Sequence, residues 1–156
     1  MSESLNPLDR TDQKILAELS ANARVPISEL ARRVGLSKTP IQARVKRLEE
    51  RGYIRGYRAM VDPVKLGLDH VAFVEVKLRD TREKALREFN EAVTKVGEVE
   101  ECHLIAGAFD YLLKVRTRDM TRYRQVLGEH VSSLPHVAHT STHVAMQAVK
   151  DAGFVT

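Results

Sequence analysis

The stretch Ser28-Glu29-Leu30-Ala31-Arg32-Arg33-Val34-Gly35-Leu36-Ser37-Lys38-Thr39-Pro40-Ile41-Gln42-Ala43-Arg44-Val45-Lys46-Arg47-Leu48 decides the fold of the first half of this 156-residue chain. Ser28 is the predicted N-cap of a helix barely two turns long, and Gly35 suits the left-handed position that follows a helix. Ser37 is the predicted N-cap of a longer helix that runs to about Arg51. Two short helices joined by a tight glycine-containing turn are typical of a helix-turn-helix.

A further helix is predicted before this pair. Residues Leu8 to Ser20 place Ile15, Leu16 and Leu19 on one helical face, and Asp9 is the predicted N-cap. This helix would support the other two by covering their apolar sides, which completes the three-helix core of a helix-turn-helix domain.

The residues after the third helix are rich in β-forming types. Tyr53–Arg55 and Tyr57–Val61 predict a small hairpin, or wing, and Asp62–Asp69 predicts a linker. We therefore expect two domains: a winged helix-turn-helix over residues 1–62 and a second domain over residues 63–156.

The second half predicts strands and helices in the order β-α-β-β-α-β, which is a ferredoxin-like α+β fold. Asp80, with Glu83 at the capping-box position, and Asp119 are the predicted N-caps of the two helices. Pro135 is expected to end the second helix, and a glycine-centred turn at Ala106–Asp110 is expected to join the two middle strands. The predicted strands are Val71–Leu78, Val99–Ile105, Tyr111–Thr117 and Val137–Met146.

Charge divides the chain in the same way. Residues 1–62 contain 12 Lys and Arg against 8 Asp and Glu, whereas residues 63–156 contain 13 of each. The whole basic excess therefore lies in the first domain, as expected of a phosphate-binding surface. From charge alone, a solvated basic face is an equal alternative.

The third helix has an apolar side, formed by Ile41, Val45 and Leu48, and an outer side with donors, acceptors and small residues. A recognition helix needs this mixture, because Gln and Thr bond base edges and Arg or Lys reach guanine or phosphate. For any one of these side chains alone, an ordinary surface role stays open. The predicted DNA-binding residues are Ser37, Lys38, Thr39, Gln42, Lys46 and Arg47, with Arg24, Arg44, Arg55 and Arg58 assigned to phosphates.

Other chemistry has weaker support in the sequence. Cys102 is the only cysteine, which favours a small core residue over a nucleophile and fits a cytoplasmic protein. His139 and His143 would share one strand face, so a metal site stays an alternative, although no carboxylate or thiol pattern accompanies them. No apolar run approaches the ~20 residues needed to cross a bilayer, and no catalytic triad or phosphate-binding glycine loop is present.

A resemblance to a known family rests on several motifs. They are Leu8-Asp9-Arg10-x-Asp12, Ser28-Glu29-Leu30-Ala31-x-x-Val34-Gly35-Leu36-Ser37-x-Thr39-Pro40, Arg44-Val45-x-Arg47-Leu48-Glu49-x-x-Gly52-Tyr53-Ile54, and Glu101-Cys102-His103-Leu104-Ile105-x-Gly107-x-Phe109-Asp110-Tyr111-Leu112-Leu113-Lys114. With these motifs, nearly the whole chain resembles the Lrp/AsnC family of bacterial and archaeal regulators, and its second half resembles the leucine-responsive branch.

The resemblance implies a DNA-binding transcription regulator that responds to an amino-acid effector. It also implies dimers formed through the sheets, their assembly into octamers that wrap DNA, and an effector pocket between dimers that includes a Gly-x-x-Asp turn. No cofactor, metal or membrane partner is expected, and the location is expected to be cytoplasmic and nucleoid-associated. Leucine or another small apolar amino acid is the candidate effector.

Carried over residue by residue, the Gly-x-x-Asp turn is Gly107 and Asp110. Gly107 would let backbone N–H groups approach a carboxylate, and an ionised Asp110 would pair with an α-ammonium group. From the residues alone, a turn with a purely structural role is the alternative. His143 departs from the leucine-responsive pattern, which has an aromatic residue there. The predicted effector-binding residues are His103, Leu104, Gly107, Asp110, Tyr111, Met120, Thr142, His143 and Val144.

A second class of function stays open from the sequence alone. Ferredoxin-like domains host many activities, so a small enzyme acting on amino acids, or a stand-alone ligand-binding module, is the alternative to a regulator. The basic helix-turn-helix argues against it, because neither alternative needs a DNA-binding surface.

Overall fold

The computed structural model of the protein describes residues 8–150, so the outer ends of the two predicted domains lie outside the described residues. The chain divides into two compact units after Ala59. We call residues 8–59 the N-terminal unit and residues 60–150 the C-terminal unit, and each is described by itself.

The N-terminal unit consists of three helices: α1 (Arg10–Ala21), α2 (Ile27–Val34) and α3 (Lys38–Glu50). Ile15, Leu30, Ile41 and Leu48 are almost completely buried at its centre, because each helix turns its apolar stripe towards the other two. The predicted three-helix arrangement is therefore confirmed.

Helix caps in this unit agree in part with the sequence. The Asp9 side chain accepts a hydrogen bond from the Asp12 backbone N–H at 2.7 Å, as predicted. Gly35 ends α2 with a φ of 82°, the left-handed conformation that a glycine adopts without strain. Ser37 lies at the N-cap of α3, but its side chain makes no capping hydrogen bond. The prediction for Ser28 is wrong: α2 begins at Ile27, directly after Pro26, and Ser28 lies inside the first turn.

The predicted hairpin after the third helix is also wrong. The structure has no strand within residues 8–69. Gly52 has a positive φ, and the Ile54 N–H then donates to the Leu48 carbonyl at 3.1 Å. The Tyr57 hydroxyl donates to Glu49 at 2.8 Å, so this segment is bonded to α3 rather than to itself.

The C-terminal unit is a four-stranded antiparallel sheet with helices packed on one face. The sheet order is β2-β3-β1-β4, so the βαββαβ ferredoxin-like prediction is confirmed. A π-helical turn, Leu127–Val131, continues the second helix, which therefore ends before Pro135 is reached. The elements are β1 (His70–Leu78), α4 (Glu83–Val93), β2 (Val99–Leu104), β3 (Tyr111–Thr117), α5 (Met120–Val126) and β4 (Val137–Val144).

The two faces of this sheet differ in burial. Val74, Val76 and Leu113 point towards the helices and are fully buried against residues such as Phe89 and Val126. Alternate residues of the same strands point to the opposite face, as the two-residue period of a strand requires. We call this opposite side the open face; it is mostly polar and carries Glu75, Lys77, Lys114, Arg116 and His143, with Phe73 between them.

Of the two predicted helix caps in the C-terminal unit, one is confirmed and one is wrong. Asp119 caps α5 as predicted, because its side chain accepts from the Arg122 N–H at 2.7 Å. The prediction for Asp80 is wrong. Helix α4 begins at Glu83 with Arg82 at the N-cap, and Asp80 instead accepts hydrogen bonds from the Arg82 backbone and side chain at 3.0 Å.

Candidate nucleic-acid interface and effector site

The outer side of α3 is a continuous polar surface. Lys38, Thr39, Gln42 and Lys46 are exposed, while Ile41, Val45 and Leu48 point into the core on the opposite side. The sequence reasoning thus placed these four side chains together correctly. Their geometry suits a helix that approaches base edges, because they carry donors and acceptors and no bulky apolar group.

Arg44 and Arg47 of α3 are bound to α1 instead of standing free. Arg44 Nη1 donates to Asp9 Oδ2 at 2.6 Å and to Asp12 Oδ1 at 2.7 Å. Arg47 Nη2 donates to Asp12 Oδ1 at 3.0 Å and to Asp12 Oδ2 at 2.8 Å. The capping hydrogen bond from Asp12 and the bond from Arg44 lower the pKa of Asp9. We call these four residues the Asp12 cluster.

Sequence reasoning missed the role of Asp12. Asp9 at the N-cap and Asp12 in the first turn of α1 are three residues apart, and Arg44 and Arg47 in α3 have the same spacing. Two acids and two arginines at the same spacing on neighbouring helices are a signal for cross-helix pairing. The signal identifies no partner until the packing of α1 on α3 is known.

The remaining predicted phosphate contacts lie in loops. Arg24 is exposed in the turn between α1 and α2, and its backbone N–H donates to Asn22 Oδ1 at 2.9 Å. Arg55 and Arg58 are exposed in the segment after α3. Within the described part of the chain, these three side chains make no ion pair, so their charge is available to an anionic partner.

The predicted effector residues of the C-terminal unit lie on different sides of the sheet. His103 and His143 are on the open face, where His143 pairs with Glu75 at 3.2 Å. Leu104, Thr142 and Val144 belong to the alternate, helix-facing positions of their strands. Met120 is exposed at the start of α5. Within residues 8–150 of one copy, the predicted strand residues therefore lie on both sides of the sheet.

Two of these residues are occupied by internal contacts. Tyr111 is buried, its ring lies 4.3 Å from that of Phe89, and its hydroxyl donates to Asn90 at 2.8 Å. The Thr142 hydroxyl lies 2.6 Å from the hydroxyl of Tyr123. Tyr111 and Thr142 thus serve the interior of this unit.

Asp110 holds the end of the hairpin against β1. Its Oδ2 accepts from the Leu78 N–H at 2.7 Å, and its Oδ1 accepts from Lys77 Nζ at 3.3 Å. Its backbone N–H donates to the Val76 carbonyl at 2.9 Å. The side chain is 14% exposed, and both carboxylate oxygens accept hydrogen bonds within the protein. Gly107 is exposed in the same turn.

A cleft of about 600 Å³ lies elsewhere in the C-terminal unit, between the ends of β3 and α5. It includes Thr117, Asp119 and Arg122, and none of the predicted effector residues lines it.

Burial raises the pKa of the Cys102 thiol to about 11, so this side chain is a poor nucleophile at neutral pH. Among residues 8–150, no group of three or more His, Cys, Asp or Glu could hold a metal ion, and no helix is long and apolar enough to cross a membrane.

A basic helix-turn-helix unit joined to an α+β sheet unit defines a DNA-binding regulator with a separate ligand-binding domain. A model of the winged helix-turn-helix DNA-binding domain matches residues 8–55, and a model of the Lrp/AsnC ligand binding domain matches residues 71–154. The chain belongs to the Lrp/AsnC family, and it is a transcription regulator with a DNA-binding and an amino-acid-binding domain.

Similar proteins agree with this assignment. The chain is 62% identical to a proline dehydrogenase transcriptional activator of Rhizobium radiobacter over 97% of both chains. It is 48% identical to the leucine-responsive regulatory protein of Escherichia coli over 92% of this chain and 87% of that protein. These relatives are transcription regulators, which rejects the enzyme alternative.

Solved structures show the same fold. A transcriptional regulator of Neisseria meningitidis in complex with L-methionine matches with a TM-score of 0.87 at 33% identity, over 93% of this chain and 94% of that one. An AsnC family regulator of Agrobacterium tumefaciens matches with a TM-score of 0.88 at 32% identity, over 96% and 97% of the two chains. The resemblance stated from the motifs is therefore confirmed.

Proposed function

We propose that this protein activates transcription of a proline dehydrogenase gene and that proline is its effector. The observation that carries the proposal is the 62% identity, over 97% of both chains, to an activator of that name. A second activator of the same name, from Rhodobacter capsulatus, is also 62% identical, over 91% of this chain and 92% of that one. Proline is a small apolar amino acid and fits the effector class inferred from the motifs.

The N-terminal unit reads the operator with the outer side of α3. Gln42 and Thr39 contact base edges, and Lys46 reaches guanine or phosphate. The loop cations Arg24, Arg55 and Arg58 contact phosphates, which fixes the position of the unit but carries no sequence information. Ser37, Lys38, Arg44 and Arg47 complete the proposed DNA-binding set.

The regulator acts as a symmetric assembly. Helix-turn-helix proteins read two half-sites about one helical turn apart, which requires two copies related by a two-fold axis. We assign sheet-mediated dimers and octamers to this chain. The protein works in the cytoplasm, in association with the nucleoid.

The effector binds at the Gly107–Asp110 turn, between two dimers. In one copy the predicted strand residues lie on both sides of the sheet, which supports a pocket that is completed by a second copy. The Asp110 carboxylate, which also accepts from the Leu78 N–H and Lys77 Nζ, pairs with the effector ammonium group, and exposed Leu104, Met120 and Val144 supply apolar surface.

The test uses the DNA upstream of a proline dehydrogenase gene from the source genome. The full protein should shift this fragment more tightly than a scrambled fragment of equal length, and proline should change the affinity while glycine should not. Leucine is the discriminating ligand. The 48% identical leucine-responsive relatives define the second candidate, a regulator that responds to leucine. A response to leucine without one to proline would select that candidate.

A further inference from the structure

The Asp12 cluster places a buried acid directly behind the recognition helix. The Asp12 side chain on α1 is only 6% exposed, although it is a carboxylate. A buried carboxylate is costly unless it is paired and hydrogen-bonded. Arg44 and Arg47 supply this pairing, and both come from α3, the helix that presents the DNA-reading side chains.

Arg47 is held on one side only. Its Nη2 donates to both oxygens of Asp12, at 3.0 and 2.8 Å, while its side chain remains 44% exposed. Within residues 8–150, its Nε and Nη1 groups donate to no acceptor. A guanidinium is planar and has five N–H donors, so it can hold a carboxylate with one part and a second acceptor with the rest.

Arg44 balances the negative charge of Asp12 while Arg47 also binds DNA. Arg44 is 25% exposed and is shared between Asp9 and Asp12. If DNA binding weakens the pairing of Arg47 with Asp12, Asp12 still accepts a 2.7 Å hydrogen bond from Arg44. The cluster therefore contains a less exposed arginine shared between two acids and a more exposed arginine bound to Asp12 alone.

We propose that Asp12 is a specificity-determining positioning residue, which fixes the Arg47 guanidinium so that its free donors meet operator DNA in one orientation. The inference rests on the proposed reading of DNA by α3. A fixed side chain loses less conformational entropy on binding than a free one, so the correct sequence gains affinity. The Asp12 charge also weakens attraction to phosphates in general, so random DNA gains nothing from it.

The main variant is Asp12→Asn, which keeps the size of the side chain and removes its charge. Operator affinity should fall about tenfold, the loss of one good base contact. Affinity for random DNA should stay within about twofold or increase, because one negative charge near the phosphates is removed. Fluorescence anisotropy with both DNAs at one salt concentration measures the ratio. A merely destabilised protein would lose both affinities together.

Glu18→Gln is the matched control. Glu18 Oε2 accepts from Arg33 Nη1 at 2.8 Å, so this pair joins α1 to α2 in the same way and does not involve α3. Its removal should leave the ratio of operator to random affinity unchanged within about twofold. A ratio that falls equally in both variants would show that any cross-helix pair matters and would overturn the proposal.

Arg47→Lys provides a second variant in case Asp12→Asn does not fold. Lysine keeps the charge next to Asp12, but its single ammonium group cannot present the planar fork of arginine to two partners. Operator affinity should again fall about tenfold with random DNA unchanged, in protein shown to be folded by circular dichroism. An unchanged ratio in Arg47→Lys overturns the positioning role.

The Gln42→Ala variant distinguishes failure of the Asp12 proposal from failure of the proposed function. If Gln42→Ala loses sequence preference while both cluster variants keep it, α3 reads DNA and the role of Asp12 is wrong. If the wild-type protein shows no preference for any tested operator, the proposed function itself is wrong.

Discussion

Asp12 of the N-terminal unit and Asp110 of the C-terminal unit are both acids with largely buried side chains, at 6% and 14% exposure, yet they have different partners. Asp12 binds two arginine side chains of another helix. Asp110 makes its shortest contact, 2.7 Å, with the backbone N–H of Leu78. The first acid therefore holds two side chains of a neighbouring helix, whereas the second fixes the path of the main chain.

The same contrast extends to the two units as wholes. Four Arg–carboxylate residue pairs with contacts of 3.0 Å or less cross between helices in the N-terminal unit, joining α3 or α2 to α1 or its cap. The C-terminal unit depends on three strand pairings and a larger apolar core. The excess of basic over acidic residues lies in the N-terminal unit, and the C-terminal unit has equal numbers of both. Function follows the same division, with DNA assigned to the first unit and the effector to the second.

The largest expected effect comes from removing the N-terminal unit. A protein that starts at Met60 should lose operator binding by more than about a hundredfold, because the basic excess that neutralises phosphates is gone. Gel shifts of the full and shortened proteins at several salt concentrations measure this. A shortened protein that binds DNA with the salt dependence of the full chain would show that DNA binding is not confined to the N-terminal unit.

The second effect concerns Asp110. Asp110→Ala should lower the free energy of unfolding by about 1–3 kcal/mol, because the buried Leu78 N–H loses its acceptor. Asp110→Asn keeps an acceptor oxygen and should recover part of this loss. Urea unfolding followed by circular dichroism measures both variants.

The two Asp110 variants also separate structure from sensing. In the free protein Asp110 already accepts from the Leu78 N–H, so its replacement also affects the fold. If Asp110→Asn is folded and assembled but its operator binding no longer responds to proline, the carboxylate charge serves the effector. A normal response in Asp110→Asn would leave Asp110 with its structural role alone.

The fold was largely accessible from the sequence, for a physical reason. Helical and strand periods record which face of each element is buried, and Ile15, Leu30 and Val74 follow them. Caps were less accessible, because a capping hydrogen bond depends on one or two residues of local geometry. Asp9 and Asp119 cap as predicted, and Asp80 does not.

The functional surfaces were accessible only where they lie on one element. The outer side of α3 follows from helical spacing alone. The pairs of Asp12 with Arg44 and Arg47 span 32 and 35 residues and depend on how α1 packs on α3. The Asp110 contact to Leu78 likewise spans 32 residues. Periodicity within an element contains no information about such long-range partners.

A smaller effect is expected within the N-terminal unit itself. Gln42→Ala should cost about 1 kcal/mol of operator affinity and little on random DNA, because only base contacts depend on sequence. Arg24→Ala should weaken both DNAs to the same extent and reduce the salt dependence by about one phosphate contact. Anisotropy titrations on both DNAs separate these outcomes, and equal losses for Gln42→Ala would reassign Gln42 to phosphate.

The smallest expected effect is a pH dependence at surface acids, one in each unit. Hydrogen bonds from Arg32 and Arg33 lower the pKa of Glu29 to about 2, and the hydrogen bond from Arg82 lowers that of Asp80 below its usual 3.8. Because the pKa of each acid is lower in the folded state than in the unfolded state, its stabilising contribution is fully present above the unfolded value. This contribution is lost as the pH falls through the folded value.

Glu29→Gln should therefore lower stability slightly at pH 6, and the difference from the wild type should vanish as the pH approaches 2. Asp80→Asn should behave in the same way in the other unit. Both acids are at the surface, where solvent screens such pairs, so each shift should be small. Native-state hydrogen exchange, compared between variant and wild type at each pH, assigns the change to α2 for Glu29 and to α4 for Asp80. If either variant changes protection equally in both units, the two units unfold cooperatively. The contrast between the units then applies to their chemistry but not to their stability.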